Sequence, residues 1–574
     1  VPPWADSPLF TLAAALLPPL AWILLASGLD DLVVDILWLC RARSVRRPLP
    51  AGNLPEQRIA LLLPLWQEAA VAGKMLDHNL AAIGYANFTV FAGVYPNDPA
   101  TRAAVEAAAR RHSRLEVCVL PHDGPTSKPD CLNWIYQHLL AREGERPFEI
   151  IVIHDAEDLI HPASLGWINA CCGAYDMVQV PVLALATPAH EAVHGIYCDE
   201  FAEYQARDMP VRSACGAFVP STGVGTGFRR AALDALGNRI FDTGALTEDY
   251  DIGVRLHRLG ARQVALPVCG RPPVATREFF PRRFRAAVRQ RTRWVTGNVL
   301  QSWERFGWGR DWKEAYWFWR DRKGLLGAPA SLLANLIFLL GLLGGRLGEI
   351  PPLLLAANAV LFSLRMASRI RHSARIYGFA FGLLAPLRIP LANLLNTLAV
   401  AGAVARFAQS KLLRRPLRWL KTEHAYPSRE ALLSHKRTLD AVLAGSGYLD
   451  EDALAAARAS LPEDADWEQH LVRGGWISEV QLREALALQH GMDTAHVTTA
   501  AVSPAVVRSV PRAVAERHGV APYAVAEGVL LLAAVSPVED AALEEIRRCS
   551  GLEPEVRLVS EGDYRALAAR AAGA

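Results

Sequence analysis

The sequence contains no Cys-x-x-Cys pair, and its nine cysteines are scattered, with only Cys171 and Cys172 adjacent. A disulfide framework or a cysteine-bound zinc is therefore not expected, and a reducing compartment fits. Charge excess is small: 61 Lys and Arg against 58 Asp and Glu, a formal net of +3. Nothing in that balance calls for a polyanion, so nucleic acid is not expected as a partner. A basic segment is missing ahead of the first apolar stretch, while Arg41, Arg43, Arg46 and Arg47 follow it. That order is wrong for a secretory signal peptide. It predicts a membrane anchor over 9–27, an interfacial segment carrying Asp30, Asp31 and Asp35, and a cytoplasmic basic cluster.

Apolar residues make up 51% of the 574 and are unevenly placed. The length exceeds that of one ordinary domain. Residues 1–47 read as anchor and interfacial segment, 48–310 as an α/β domain, 311–421 as interface and transmembrane helices, 422–434 as linker, and 435–574 as a small α+β domain. In the α/β domain, apolar runs at 59–65, 89–94, 116–120 and 149–154 alternate with helical patterns at 101–112 and 129–142. Strands alternating with helices predict a mostly parallel sheet, with ligands at the strands' carboxyl ends. Trp303, Trp308, Trp312, Trp317 and Trp319, mixed with Arg and Lys, suit an interface helix or ordinary packed aromatics. Apolar spans follow at 325–345, 350–367 and 376–408. The last contains Pro386, Arg388 and Pro390. If the domains on either side share a compartment, this segment crosses twice or not at all.

Three motifs carry chemistry. Asp155-Ala156-Glu157 closes an apolar run, where alternate carboxylates of an extended segment face one side. Two hard oxygen donors can hold Mg²⁺ or Mn²⁺ against a diphosphate. Such a triplet on a surface is commonplace; at the end of a buried strand it is less so. Thr247-Glu248-Asp249 offers a carboxylate able to take a proton from an acceptor hydroxyl. The same triplet also reads as a helix start, with Thr247 capping and acids in the first turn. Gln290-x-x-Arg293-Trp294 lies in an Arg-rich helix. Arg293 can grip a diphosphate and Trp294 can offer a flat face to a sugar ring; the alternative is a basic helix against anionic lipid. The glycines of 223–230 suit close backbone approach rather than a dinucleotide loop, because no suitable βα unit begins there.

These residues resemble the membrane-bound, processive family 2 glycosyltransferases, such as cellulose and hyaluronan synthases. The resemblance spans roughly 56–300 and implies the α/β GT-A fold. The family's nucleotide-touching turn after the first strand reads Leu63-Pro64-Leu65-Trp66-Gln67-Glu68, which places Pro64 and Glu68 at the donor nucleotide. Asp98 stands where the family has a pair of acids. The Gly-Lys-x-x-x-Leu-Asn segment appears as Ser127-Lys128 through Leu132-Asn133, placing Lys128 at the donor. The family's Asp-x-Asp becomes Asp155-Ala156-Glu157, implying Asp155 and Glu157 on the metal and Asp155 also at the donor. The base motif matches Thr247-Glu248-Asp249, implying Asp249 as base with Glu248 beside it. The last motif implies acceptor contacts from Gln290, Arg293 and Trp294.

The layout is similar to the phage-adsorption-protein-B type of these enzymes, through Ser27–Asp31, Tyr95–Pro99 and His154–Asp158. The tail resembles the N-terminal domain of type II secretion and pilus ATPases, which can bind cyclic di-GMP. It holds two copies of a turn-then-helix unit, beginning at Gly447 and Gly475. The family's Arg-Leu-Gly opening is replaced by Thr438-Leu439-Asp440 and Asp466-Trp467-Glu468. Both Arg and Gly anchors are thus absent, and Asp440 and Glu468 oppose phosphate. Any dinucleotide would rely on apolar faces around Leu443, Leu449, Leu471 and Ile477, with Arg473 nearby.

The resemblance implies an inverting glycosyltransferase of the bacterial inner membrane, with catalytic and C-terminal domains in the cytoplasm. Its expected donor is a UDP-sugar with Mg²⁺ or Mn²⁺. Its expected acceptor is a growing exopolysaccharide, passed to a periplasmic or outer-membrane export partner. The rivals are single-sugar transfer to a lipid carrier and an inactive nucleotide-sensing receptor.

Overall fold

The computed structural model describes residues 8–40, 54–237, 240–270, 273–342, 350–414 and 417. It also describes 439–573, except 447, 450, 463–464, 491, 498–501 and 527–528. The basic cluster Arg41 to Arg47, the linker 422–434, Thr438 and Gly447 lie outside the described residues. The chain forms two compact units that divide after His424.

In the first unit, a seven-stranded sheet has the order β3-β2-β1-β4-β7-β5-β8. Its strands are β1 (Ile59–Pro64), β2 (Phe88–Val94), β3 (Leu115–Val119), β4 (Ile150–Ile153), β5 (Met177–Gln179), β7 (Thr226–Arg229) and β8 (Gln263–Ala265). A separate parallel pair joins β6 (Val182–Ala184) to β9 (Thr276–Glu278). β1 to β4 are mutually parallel, whereas β7 runs antiparallel to both β4 and β5. The mostly parallel sheet read from the alternating pattern is therefore present, with β7 as its inserted exception. The chain moves outward from β1 to β3, then returns to place β4 on the other side of β1. That reversal opens a crevice at the carboxyl ends of β1 and β4, where ligands of such sheets bind. Strands β1 and β4 are almost wholly buried, because apolar clusters cover both faces of the sheet.

Two local starts are set by side chains. Asp98 caps α2 (Pro99–Ala109), accepting from the Thr101 amide, and Ser127 caps α3 (Lys128–Arg142) through the Asp130 amide. The first helix itself, α1 (Pro8–Cys40), is unbroken despite Pro18 and Pro19. At 1.5 Å per residue it exceeds the roughly 30 Å hydrocarbon thickness. Asp30, Asp31 and Asp35 thus lie on the same continuous helix as the anchor, and basic partners neutralise them. Arg320 and Lys323 bind Asp30 and Asp31, and Arg207 binds Asp35 at 2.8 Å.

Among the described residues, four helices are long and apolar enough to cross a membrane: Phe10–Cys40, Trp312–Leu342, Pro352–Tyr377 and Ala385–Leu412. The first unit meets them along α4 (Ala192–Glu203) and the π-helical turn Tyr204–Asp208 that extends it. Asp199 takes Arg388 at 2.7 and 2.9 Å and Ser373 at 2.7 Å. Glu200 takes Arg291 at 2.5 Å, Glu203 takes Arg365 at 2.6 Å and Arg369 at 3.2 Å, and Asp208 takes Arg320. Of the tryptophans, Trp317 is buried with Phe218 and Tyr250, while Trp303, Trp308, Trp312 and Trp319 remain exposed. The packed reading thus applies to Trp317.

In the second unit, the repeat helices precede a four-stranded sheet that includes Val520–Ala526, Val529–Ala534 and Glu553–Leu558. Leu443, Leu449, Leu471 and Ile477 are all buried within this unit, and Arg473 is exposed. Asp440 is bound by Arg458 at 2.9 Å and by the Trp467 indole N–H at 2.9 Å. Its charge is thus already matched within the unit.

Removing one partner of the Asp199–Arg388 pair leaves a buried charge unmatched, at a cost of about 3–5 kcal/mol. Arg388→Leu should lower the melting temperature of the detergent-solubilised protein, and Asp199→Leu/Arg388→Leu should recover much of the loss. An unchanged melting temperature in Arg388→Leu would show that the pair does not hold the two parts together.

Candidate active site

The crevice is lined by residues from every sequence motif. β1 and the turn after it supply Pro64, Trp66 and Glu68; the start of α3 supplies Ser127 and Lys128; the turn after β4 supplies Asp155 and Glu157. Glu248 and Asp249 enter from α5 (Glu248–Arg258), and Gln290, Arg293 and Trp294 from α6 (Phe284–Trp294). Separate strands and helices thus bring the distant motifs to one place.

Asp98 is the exception among the donor candidates. It does not line the crevice. Besides capping α2, its carboxylate accepts from the Gln67 amide at 2.5 Å. Gln67 has φ of 54°, a left-handed conformation costly for a residue with a Cβ, and this bond helps to hold it. Asp98 therefore shapes the turn that presents Glu68.

Asp155 and Glu157 lie in a turn, not on an extended segment. The alternation argument does not describe them; a buried His154–Asp158 pair does. Asp158 Oδ2 accepts from the Asp155 amide at 2.9 Å and meets His154 Nδ1 at 2.7 Å. Burial pushes the His154 imidazole down to about 3, and burial with the neighbouring Asp155 and Glu157 pushes Asp158 well up. The sequence showed Asp158 only as part of a subgroup phrase. Its one visible signal was a second acid following the triplet on a buried strand's end.

Glu278, at the end of β9, also lines the crevice and was not singled out from the sequence. It is too far along the chain to join a motif. Burial and the acids Asp158, Glu157 and Asp155 raise it well above the usual glutamate range.

Thr247 occupies the N-cap position of α5 but makes no side-chain capping bond. Its side chain instead packs on Gly297, where an added Cβ would lie 2.4 Å from the threonine hydroxyl. Gly297 belongs to the π-helical turn Val295–Gln301 that follows Trp294. The Thr247-Glu248-Asp249 and Gln290–Trp294 motifs are therefore locked together by a glycine contact. Gly223, with φ of 82°, brings its backbone against the same place; a Cβ there would sit 2.9 Å from Asp249 Oδ2. The glycine-rich loop thus serves close approach to the acid, and continues into β7.

Charge in the crevice is concentrated. Lys128 Nζ lies 2.5 Å from Asp155 Oδ1 and 3.8 Å from Glu248 Oε1, and donates to the Gly223 carbonyl at 3.2 Å. Burial opposes the ammonium, but these acids outweigh it and hold Lys128 above the usual lysine range. Glu248 is pushed up to about 7, chiefly by burial, with Lys128 opposing and Asp249 adding to the shift. Asp249 is raised by burial too, while Lys128 and Arg293 favour its charged form. Trp294 stands edge-on to Tyr197 and Phe280, which stack at 4.7 Å. A rigid aromatic block thus backs the tryptophan that faces the crevice.

The crevice offers a hard cation suitable donors: Asp155, Glu157 and Glu278, whose crowding disfavours charge on Glu278. Among the described residues, no group of three His, Cys, Asp or Glu side chains is placed to hold a metal ion. The residues fit Mg²⁺ or Mn²⁺ in donor type, with phosphate oxygens needed to complete the shell, as is usual where one or two carboxylates serve.

Residues 55–297 match the family described as glycosyltransferase like family 2, and residues 490–574 match the MshEN domain. Bacteriophage adsorption protein B of Escherichia coli (strain K12) is 31% identical over 593 residues, covering 95% of this chain and 80% of that protein. Bacteriophage N4 adsorption protein B of Escherichia coli O157:H7 matches to the same extent. Among solved structures, a mannosyltransferase from Pyrobaculum calidifontis in complex with GDP-Man and Mn²⁺ aligns over 65% of this chain and 99% of its own. Its identity is 17% and its TM-score 0.42. MshE with cdg aligns over 23% of this chain and 98% of its own, at 22% identity and a TM-score of 0.22.

Proposed function

Since the chain belongs to the bacteriophage adsorption protein B family and is a glycosyltransferase with a GT-A-like domain, membrane-type helices and a C-terminal MshEN domain, we propose a specific reaction for it. It transfers a sugar from a UDP-sugar to a growing exopolysaccharide, with inversion. The observation that carries this reading is the meeting of Asp155, Lys128, Asp249, Arg293 and Trp294 in one crevice. Asp249 takes the proton of the acceptor hydroxyl. The freed oxygen forms a bond to the anomeric carbon while the bond to the diphosphate breaks from the opposite side. The nucleoside diphosphate leaves with that electron pair, and Lys128 and Arg293 offset its charge. Pro64 and Glu68 face the nucleotide; Gln290 and Trp294 hold the acceptor. A divalent cation held by Asp155 and Glu157 would supply further neutralisation of the leaving group.

Asp249→Asn keeps the side chain's size but cannot take the proton. Release of UDP from a UDP-sugar should fall by roughly 10²–10⁴-fold, with UDP binding retained. Near-normal turnover would refute the assignment. The same products on a gel separate the readings: a ladder for a processive enzyme, one addition for a lipid-carrier transferase, no turnover for a receptor.

We assign the C-terminal unit a regulatory role, supported by its MshEN match. The buried state of Leu443, Leu449, Leu471 and Ile477 leaves the dinucleotide only their margins, beside exposed Arg473. Regulation requires different contacts in two states. Cyclic di-GMP added to the full chain should change UDP release; unchanged turnover at saturating dinucleotide would remove it as the effector.

Both units are placed in the cytoplasm, with three spans in the inner membrane. Charged residues of Pro8–Cys40, Trp312–Leu342 and Pro352–Tyr377 bind the catalytic part: Asp35 on Arg207, Arg320 on Asp208 and Arg365 on Glu203. Ala385–Leu412 instead touches that unit along its length: Arg388 on Asp199, Asn396 on Arg291, Gly402 beside Thr292 and Lys411 on Glu304. A crossing helix would leave the domain within a few turns. This helix therefore runs along the interface, which makes the spans between the units even in number. A phosphatase reporter that works only in the periplasm should be active when fused within 343–349 and silent at 421. Activity at 421 would mean that Ala385–Leu412 crosses.

A further inference from the structure

Lys128 occupies the carboxylate that a divalent cation needs. Its ammonium contacts Asp155 Oδ1 at 2.5 Å, closer than its other partners, the Gly223 carbonyl at 3.2 Å and Glu248 at 3.8 Å. Its backbone is fixed at the start of α3 by the Ser127 cap, so only the flexible four-carbon stem can move. A second cation at Asp155 would meet this fixed charge at close range, unless the ammonium found another anion. A diphosphate entering the crevice would be such an anion.

We propose that Lys128 is a positioning residue that plugs the cation site of the free enzyme. It releases Asp155 only when a nucleoside diphosphate group offers its ammonium a new partner. The divalent cation and the nucleotide then bind as mutually dependent ligands, and the free enzyme holds the cation weakly. No bond is made or broken; one ion pair exchanges for another. The inference rests on the donor and metal reading proposed above and adds the order in which the site is filled. The lack, among the described residues, of a ready three-residue metal cluster agrees with it.

Binding coupling of this kind is reciprocal: if UDP tightens Mn²⁺, then Mn²⁺ tightens UDP by the same factor. The test measures free Mn²⁺ by electron paramagnetic resonance, using the full chain in detergent, with and without UDP. The unmodified protein should bind Mn²⁺ about ten-fold or more tightly with UDP present, a typical coupling. Lys128→Met should bind Mn²⁺ about ten-fold more tightly than the unmodified protein without UDP, and most of the coupling should vanish. Lys128→Arg keeps a cation at the site and should keep the weak binding. Melting curves identify any variant that fails to fold, and Lys128→Gln then replaces Lys128→Met. If the unmodified protein shows coupling but neither neutral variant gains Mn²⁺ affinity, the plug is refuted and the metal reading stands. If UDP brings no Mn²⁺ to the unmodified protein, the metal reading falls and the plug with it.

Discussion

The row of buried ion pairs along Ala192–Asp208 is the constraint on which the rest depends. Within about three helical turns stand Asp199, Glu200, Glu203, Arg207 and Asp208, and each meets opposite charge from another helix. Burying so many charges is costly, and each pair recovers that cost only through close geometry. The arrangement therefore tolerates little sliding. It fixes Pro8–Cys40, Pro352–Tyr377 and Ala385–Leu412 to the catalytic unit, where apolar packing alone would allow many similar dockings. Specific placement, rather than net stability, is what such pairs contribute here.

That placement reaches the chemistry through α4 itself. Tyr197, one turn from Asp199 and Glu200, stacks on Phe280, and Trp294 stands against both. Arg291, three residues before Trp294, is held by Glu200 and by Asn396 of Ala385–Leu412. The helix carrying this crevice-lining tryptophan is thus clamped between α4 and Ala385–Leu412. Both π-helical turns, Tyr204–Asp208 and Val295–Gln301, occur where these elements meet. Such turns often mark places where a functional helix must be re-aimed. Here the second lets Gly297 pass against Thr247.

What was legible in the sequence was local. The strands ending at Pro64, Val94, Val119 and Ile153 followed from apolar runs with polar ends, and the motif residues from their types and order. Even Lys128, Asp249 and Trp294 could be named, though nothing in the sequence said that Lys128 would rest on Asp155. What was illegible was pairwise and distant. Glu278 joins the crevice because β9 pairs with β6, a register no local pattern encodes. The Asp30 side chain looked too polar for a spanning helix because its partners, Arg320 and Lys323, lie far along the chain. Thr247 looked like a cap because caps are defined by neighbours, whereas its packing on Gly297 is tertiary. The same limit hid Asp98, whose bond to Gln67 makes it a support for the turn rather than a wall of the crevice.

The crevice gathers more acids than cations, and the structure manages that excess by position. Asp158 accepts from both His154 and the Asp155 amide through a single oxygen, Oδ2, leaving Oδ1 buried without a hydrogen-bond partner among the described residues. Burial and the neighbouring Asp155 and Glu157 raise its proton affinity, against the pull of Lys128. Glu278 and Glu248 are driven the same way by burial. Asp249 is raised by burial as well, but Arg293 joins Lys128 in favouring its charged form. One lysine thus bears on Asp155, Asp158, Glu248, Asp249 and Glu278 at once, and its position governs how the charge of the whole group is offset.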